Sequence, residues 1–129
     1  KKRIIDLDLK KNDKIPYEGI LHLDCTFNPI GKDKCIIYKN GFVDESDYEL
    51  IVDIFGEENC FNITDEEMFE MNPNIFSISP EVVVLDHTFT RMNKHLRDVW
   101  GFTVEEIPYR EVSKMGGLLR CSTMPLVRE

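Results

Sequence analysis

From Gly19 onward the apolar positions switch repeatedly between the two-residue period of strands and the longer period of helices. "EGILHLDCTF" alternates and is rich in β-formers, and "KCIIYKN", followed by Gly41, reads as its hairpin partner. "DESDYELIVDIFG" predicts a helix. Asp44 and Ser46 are cap candidates, Tyr48, Ile51, Val52 and Phe55 recur at helical spacing, and Gly56 stops it. "NCFNIT" then predicts a short strand, and "TDEEMFEMN" a short helix with Thr64 as cap and an acidic first turn suited to the helix dipole.

The order then repeats. "NIFSIS" and "EVVVLD" read as two strands parted at Pro80, and "TFTRMNKHLRDVW" as a helix with Phe89, Met92, Leu96 and Val99 on one face, closed by Gly101. "FTVEEIPY" is a strand, "REVSKM" a helical turn and "LLRCST" a last strand. The pattern predicts an α/β chain of two strand-strand-helix-strand units, each of roughly fifty residues, a period typical of repeat architectures. Residues 1–18, "KKRIIDLDLKKNDKIPYE", are charged and extended and read as a linker or surface strand, leaving 19–129 as the folded portion.

Composition narrows the picture. The 129 residues suffice for one core, and 42% hydrophobic with 31% charged residues fits a globular protein. A formal net charge of −8 argues against nucleic acid, which demands a basic face, and mildly favours cationic partners. Cys25, Cys35, Cys60 and Cys121 show no CxxC pair and no regular spacing. That is neither a disulfide framework nor a zinc signature, so a reducing, cytoplasmic setting is expected. There is no apolar run of membrane-spanning length and no secretory leader, and a chain opening on Lys1 rather than Met is expected to belong to a longer polypeptide.

Two stretches hold candidate chemistry. In "LHLDC" the strand period puts His22 and Asp24 on one face, where they can supply an acid/base and a cation anchor, or simply satisfy each other on a half-wet sheet. In "GGLLRCSTMPL" the lone Cys121 is either a buried, inert thiol or a nucleophile. Gly116 and Gly117 permit tight backbone geometry, and Arg120 could help hold a thiolate, although alternation points its side chain to the other face. Cys25 and Cys35 lie in apolar β-prone runs, and Cys60 has no acid/base neighbour. His87, beside Asp86, reads as a solvated cap residue, and His95 as part of the charged "NKHLRD" face. No metal-ligand spacing is visible.

"LHLDCTFNPI", "MNPNIFSIS" and "GGLLRCSTMPLVRE", in that order, resemble the guanidino-group-modifying enzymes, the pentein superfamily of arginine deiminases, dimethylarginine dimethylaminohydrolases and amidinotransferases. The resemblance runs from about Gly19 to the end and implies a five-bladed α/β propeller, of which this chain would hold about the last two blades. It matches His22 to the family's general acid/base, Asp24 to a guanidinium-binding carboxylate and Cys121 to the nucleophile; Asn74 resembles a recurring asparagine, read here as structural. It implies a cysteine-dependent hydrolase acting on arginine or a substituted arginine through a covalent thiouronium, with no metal or cofactor. Arg120 before the cysteine tilts the choice toward hydrolases.

A further carboxylate and the histidine's acidic partner belong to the family's first half and have no counterpart here. The piece alone is therefore not expected to turn over substrate; its partners are a small cationic guanidino compound and the missing half or another chain. Three other readings stay open: an amidinotransferase, distinguished by its need for an amine acceptor; a non-catalytic pentein binding module, against which the retained His22 and Cys121 speak; and a stand-alone α/β domain with a buried cysteine.

Overall fold

Gly31 makes the first hairpin possible. Its φ of +60° turns the chain between β1 (Phe27–Ile30) and β2 (Lys34–Ile37), which pair antiparallel with Phe27 opposite Ile37. An added Cβ there would lie 2.8 Å from the Phe102 ring, so the same glycine admits close approach by the second unit. The computed structural model describes residues 4–12, 14, 19–124 and 126. Parts of the expected linker (1–3, 13 and 15–18) and of the last motif (125 and 127–129) lie outside the described residues. Within the described part of the linker, Leu9 bridges Phe42 in antiparallel fashion.

From β2 the chain crosses through α1 (Glu45–Phe55) to β3 (Cys60–Asn62), which runs parallel to β2 with Cys35 opposite Cys60. Asp44 caps α1 by accepting the Ser46 N–H, and Gly56 ends it at φ +87°. Alternation along β2 divides two cores. Cys35 and Ile37 pack with Phe42, Ile51 and Cys60 under α1, whereas Ile36 faces the larger core shared with the second unit. After β3, α2 (Asp65–Phe69) begins with a capping box between Thr64 and Glu67.

The second unit repeats the plan. β4 (Phe76–Ser77) pairs antiparallel with β5 (Val82–Asp86), α3 (Thr90–Asp98) crosses over, and β6 (Thr103–Ile107) returns parallel to β5. α4 (Arg110–Ser113) follows. Val83, Leu85, Phe89, Met92 and Leu96 fill the main core. The two three-stranded sheets are the two strand-strand-helix-strand units expected from the pattern.

Within the second unit and the segment after it, three details differ from the sequence expectation. Val99 caps the end of α3 and is 66% exposed instead of lining the core, because the helix ends at Asp98. His95 leaves the charged face and packs between the rings of Phe61 and Trp100, 4.9 and 4.7 Å between centroids; burial there, with Arg91 nearby, holds its pKa down. "LLRCST" forms no strand but a succession of turns.

Asp86, buried at the end of β5, anchors the start of α3 and the end of β6. Its carboxylate accepts from the Thr88 N–H at 2.9 Å, the Thr88 hydroxyl at 2.6 Å and the Tyr109 N–H at 2.6 Å. Burial pushes its pKa up, but these donors more than offset it, so the folded value lies below the ordinary one. Its stabilisation is therefore present at neutral pH and lost as pH falls through that lowered value. Asp86→Asn, which cannot accept at both ends, is expected to cost about 2–3 kcal/mol in denaturant unfolding at pH 7, with the difference from the unsubstituted protein shrinking in acid.

Candidate active site

The "LHLDC" segment does not pair as a strand. Residues Leu23–Cys25 form one 3₁₀ turn, in which the N–H groups of Cys25 and Thr26 donate to the carbonyls of His22 and Leu23. Pairing begins only at Phe27. The turn exposes Leu21 and Leu23, buries Cys25 and leaves Asp24 half-buried, so the strand alternation expected to set His22 and Asp24 apart from Leu23 is absent, and all three line one cleft.

Cys121 sits on the other side of the site in a turn closed by Ser122, whose N–H donates to the carbonyls of Leu118 and Leu119. Gly116 enters this turn at φ +81°. A Cβ on Gly117 would come within 3.0 Å of the Cys121 Cβ and 3.4 Å of its sulfur, so the glycine pair lets the chain fold back against the thiol. Cys121 is exposed, whereas Cys25, Cys35 and Cys60 are buried.

The two turns meet. Cys121 Sγ lies 3.8 Å from Asp24 Oδ2, although the residues are 97 positions apart. The other carboxylate oxygen is 3.9 Å from Cys25 Sγ. Burial pushes the Cys25 thiol up, and the neighbouring Asp24 and Cys121 add to the effect, so Cys25 stays protonated beside the carboxylate. A cleft of about 490 Å³ opens between the two units, lined by His22, Asp24, Asn28, Phe76, Ser77 and Arg120 among others. Arg120 thus faces the same space as His22 and Asp24, because a turn and not a strand carries it.

Asn74, fully buried, holds the cysteine turn from below. Its Oδ1 accepts the N–H groups of Leu118 at 3.0 Å and Cys121 at 3.1 Å, and its Nδ2 lies 3.1 Å from Cys121 Sγ. Asn28 grips the loop that carries Asn74, donating to the carbonyls of Pro73 at 2.7 Å and Ile75 at 3.2 Å. The sequence singled out Asn74 only as structural and passed over Asn28. A polar residue preceding Pro29 within an apolar strand was the available signal. Among the described residues, no cluster of His, Cys, Asp or Glu is arranged to hold a metal ion.

The arginine deiminase family model matches residues 41–128, which is most of the chain. The chain belongs to the arginine deiminase family. Among curated proteins, this family member is 29% identical over 113 residues to the uncharacterized protein YkgA of Bacillus subtilis (strain 168), covering 87% of this chain but 37% of that one. The structure of ArgZ, an arginine dihydrolase from the ornithine-ammonia cycle in cyanobacteria, superposes with a TM-score of 0.72 at 21% identity, covering 94% of this chain and 18% of ArgZ. An AgrE mutant bound to L-arginine superposes with a TM-score of 0.70 at 25% identity, covering 80% and 15% respectively. The fold is that of the penteins, and this arginine deiminase family chain spans well under half of the length of each of these relatives.

Proposed function

We propose that this chain carries the nucleophile of a cysteine-dependent hydrolase acting on the guanidinium of arginine or a substituted arginine. The observation that supports it best is the Asp24 carboxylate 3.8 Å from Cys121 Sγ, beside a cleft that His22 also lines. The binding of L-arginine by AgrE supports the same substrate class. Residues 19–129 are read as two blades of a five-bladed catalytic domain, and 1–18 as a linker or surface strand. The exposed Leu21 and Ile78 suit a surface covered by the rest of that domain. Four free cysteines fit a cytoplasmic protein.

In this reading a guanidinium, planar and cationic, is held by paired charge-assisted hydrogen bonds to Asp24, which bring its carbon in front of the sulfur. Arg120 is available for the carboxylate of an arginine-like substrate. The Cys121 thiolate attacks the carbon and forms the C–S bond. His22 gives its proton to the departing nitrogen, and ammonia or an amine leaves a thiouronium on the enzyme. Neutral His22 then takes a proton from water, which adds to the same carbon. The C–S bond breaks, the ureido product leaves and the thiolate is restored. If an amine takes the place of water, the same groups perform amidino transfer.

The test is brief exposure of the full-length protein to L-arginine, acid quench and mass spectrometry. A mass increment on the peptide containing "CSTMPLVR", with ureido product formed in water alone, is the expected result. Product that forms only with an added amine selects the transferase, and no adduct with no product refutes the proposal.

A further inference from the structure

The turn bearing Cys121 has no strand to sit in, and Asn74 ties it to the rest of the domain. Backbone N–H groups only donate, so the end of the Asn74 amide facing Leu118 and Cys121 must be its oxygen. The end facing Cys121 Sγ at 3.1 Å is therefore the NH₂ group. It offers the sulfur a donor, which a thiol accepts weakly and a thiolate accepts strongly.

Across the sulfur stands Asp24, whose negative charge opposes a thiolate until a cation lies between them. Asn74 supplies the opposing influence from a site where water cannot replace it, since the residue is fully buried. The main chain that carries this amide is also held rigidly. The Asn74 main-chain N–H donates to the Met71 carbonyl at 2.9 Å, its main-chain carbonyl accepts the Arg120 N–H at 3.2 Å, and Asn28 clamps the carbonyls of the residues on either side.

We propose that Asn74 is a positioning residue for the nucleophile, its oxygen fixing the turn and its N–H group holding the Cys121 sulfur as an anion. This rests on Cys121 being the nucleophile, but its test reads the thiol directly. Asn74→Asp keeps the oxygen that accepts both N–H groups and removes the donor. In the full-length protein, iodoacetamide alkylation of Cys121, followed on its own peptide across pH, is expected to shift upward by about one pH unit, with roughly tenfold slower labelling at neutral pH. The kcat for arginine should fall and KM change little.

Asn74→Ala, which buries no charge, should shift the profile in the same direction and serves if the aspartate variant does not fold. A merely structural asparagine would lower the melting temperature and leave the alkylation profile in place, and that result overturns the inference. A shifted profile in a protein that makes no ureido product keeps the role of Asn74 and refutes the arginine reading. Product with an unshifted profile does the reverse.

Discussion

Cys121→Ser in the full-length protein is expected to lower turnover of arginine by on the order of 10⁴-fold or more, the scale seen when a covalent catalyst loses its nucleophile. The hydroxyl is nearly isosteric and can still accept from Asn74 Nδ2, so the turn and the melting temperature should hardly change. Binding is expected to survive as well, because Asp24 and the cleft are untouched. Loss of the covalent adduct with retention of substrate binding, measured by calorimetry alongside the quenched mass spectrum, separates chemistry from folding. Unimpaired turnover by the serine variant would remove the thiouronium route altogether.

Asp24→Asn has the second largest expected effect, and its sign depends on the charge of the reagent. A haloacetamidine is a cationic alkylating mimic of a guanidinium and is guided by the carboxylate beside the sulfur. Losing that charge-assisted pair should slow its reaction with Cys121 by roughly 10²-fold, equivalent to about 3 kcal/mol of lost attraction. Neutral iodoacetamide gains nothing from the carboxylate, and a thiolate is repelled by it, so the asparagine variant should react at least as fast. Competition on the same peptide, one reagent against the other, measures the crossover. Equal slowing of both reagents would show that Asp24 acts on the fold and not on the cation.

Both repeat units are legible in the sequence because their determinants are local. Asp44 and Gly56 bracket α1, and Thr64 caps the acidic first turn of α2. Asp24 and Cys121 stand out as candidates from their own short stretches and from the motif resemblance, but their proximity bears no trace in the local pattern. Alternation in "LHLDC" is genuine, yet the backbone closes a 3₁₀ turn there, with pairing beginning only at Phe27. "LLRCST" has strand composition, but its N–H groups go to Asn74 and back into the turn instead of to a neighbouring strand. His95 has the polar neighbours of a surface residue, and only the tertiary placement of Phe61 and Trp100 draws it inward. Where a partner lies many residues away, spacing alone carries no record of it.

The long-range contacts of the cysteine turn with Asn74 and Asp24 also have a temporal side. Both partners precede Cys121 in the chain, by 47 and 97 positions, so synthesis delivers the receptacle before the sulfur it receives. Contacts of such long sequence separation close late, after the hairpins and helices that need only their neighbours. On the reading proposed above, the Cys121 turn is thus among the late pieces set in place, and a chain stalled short of complete folding would carry its secondary structure with Cys121 away from Asn74 and Asp24.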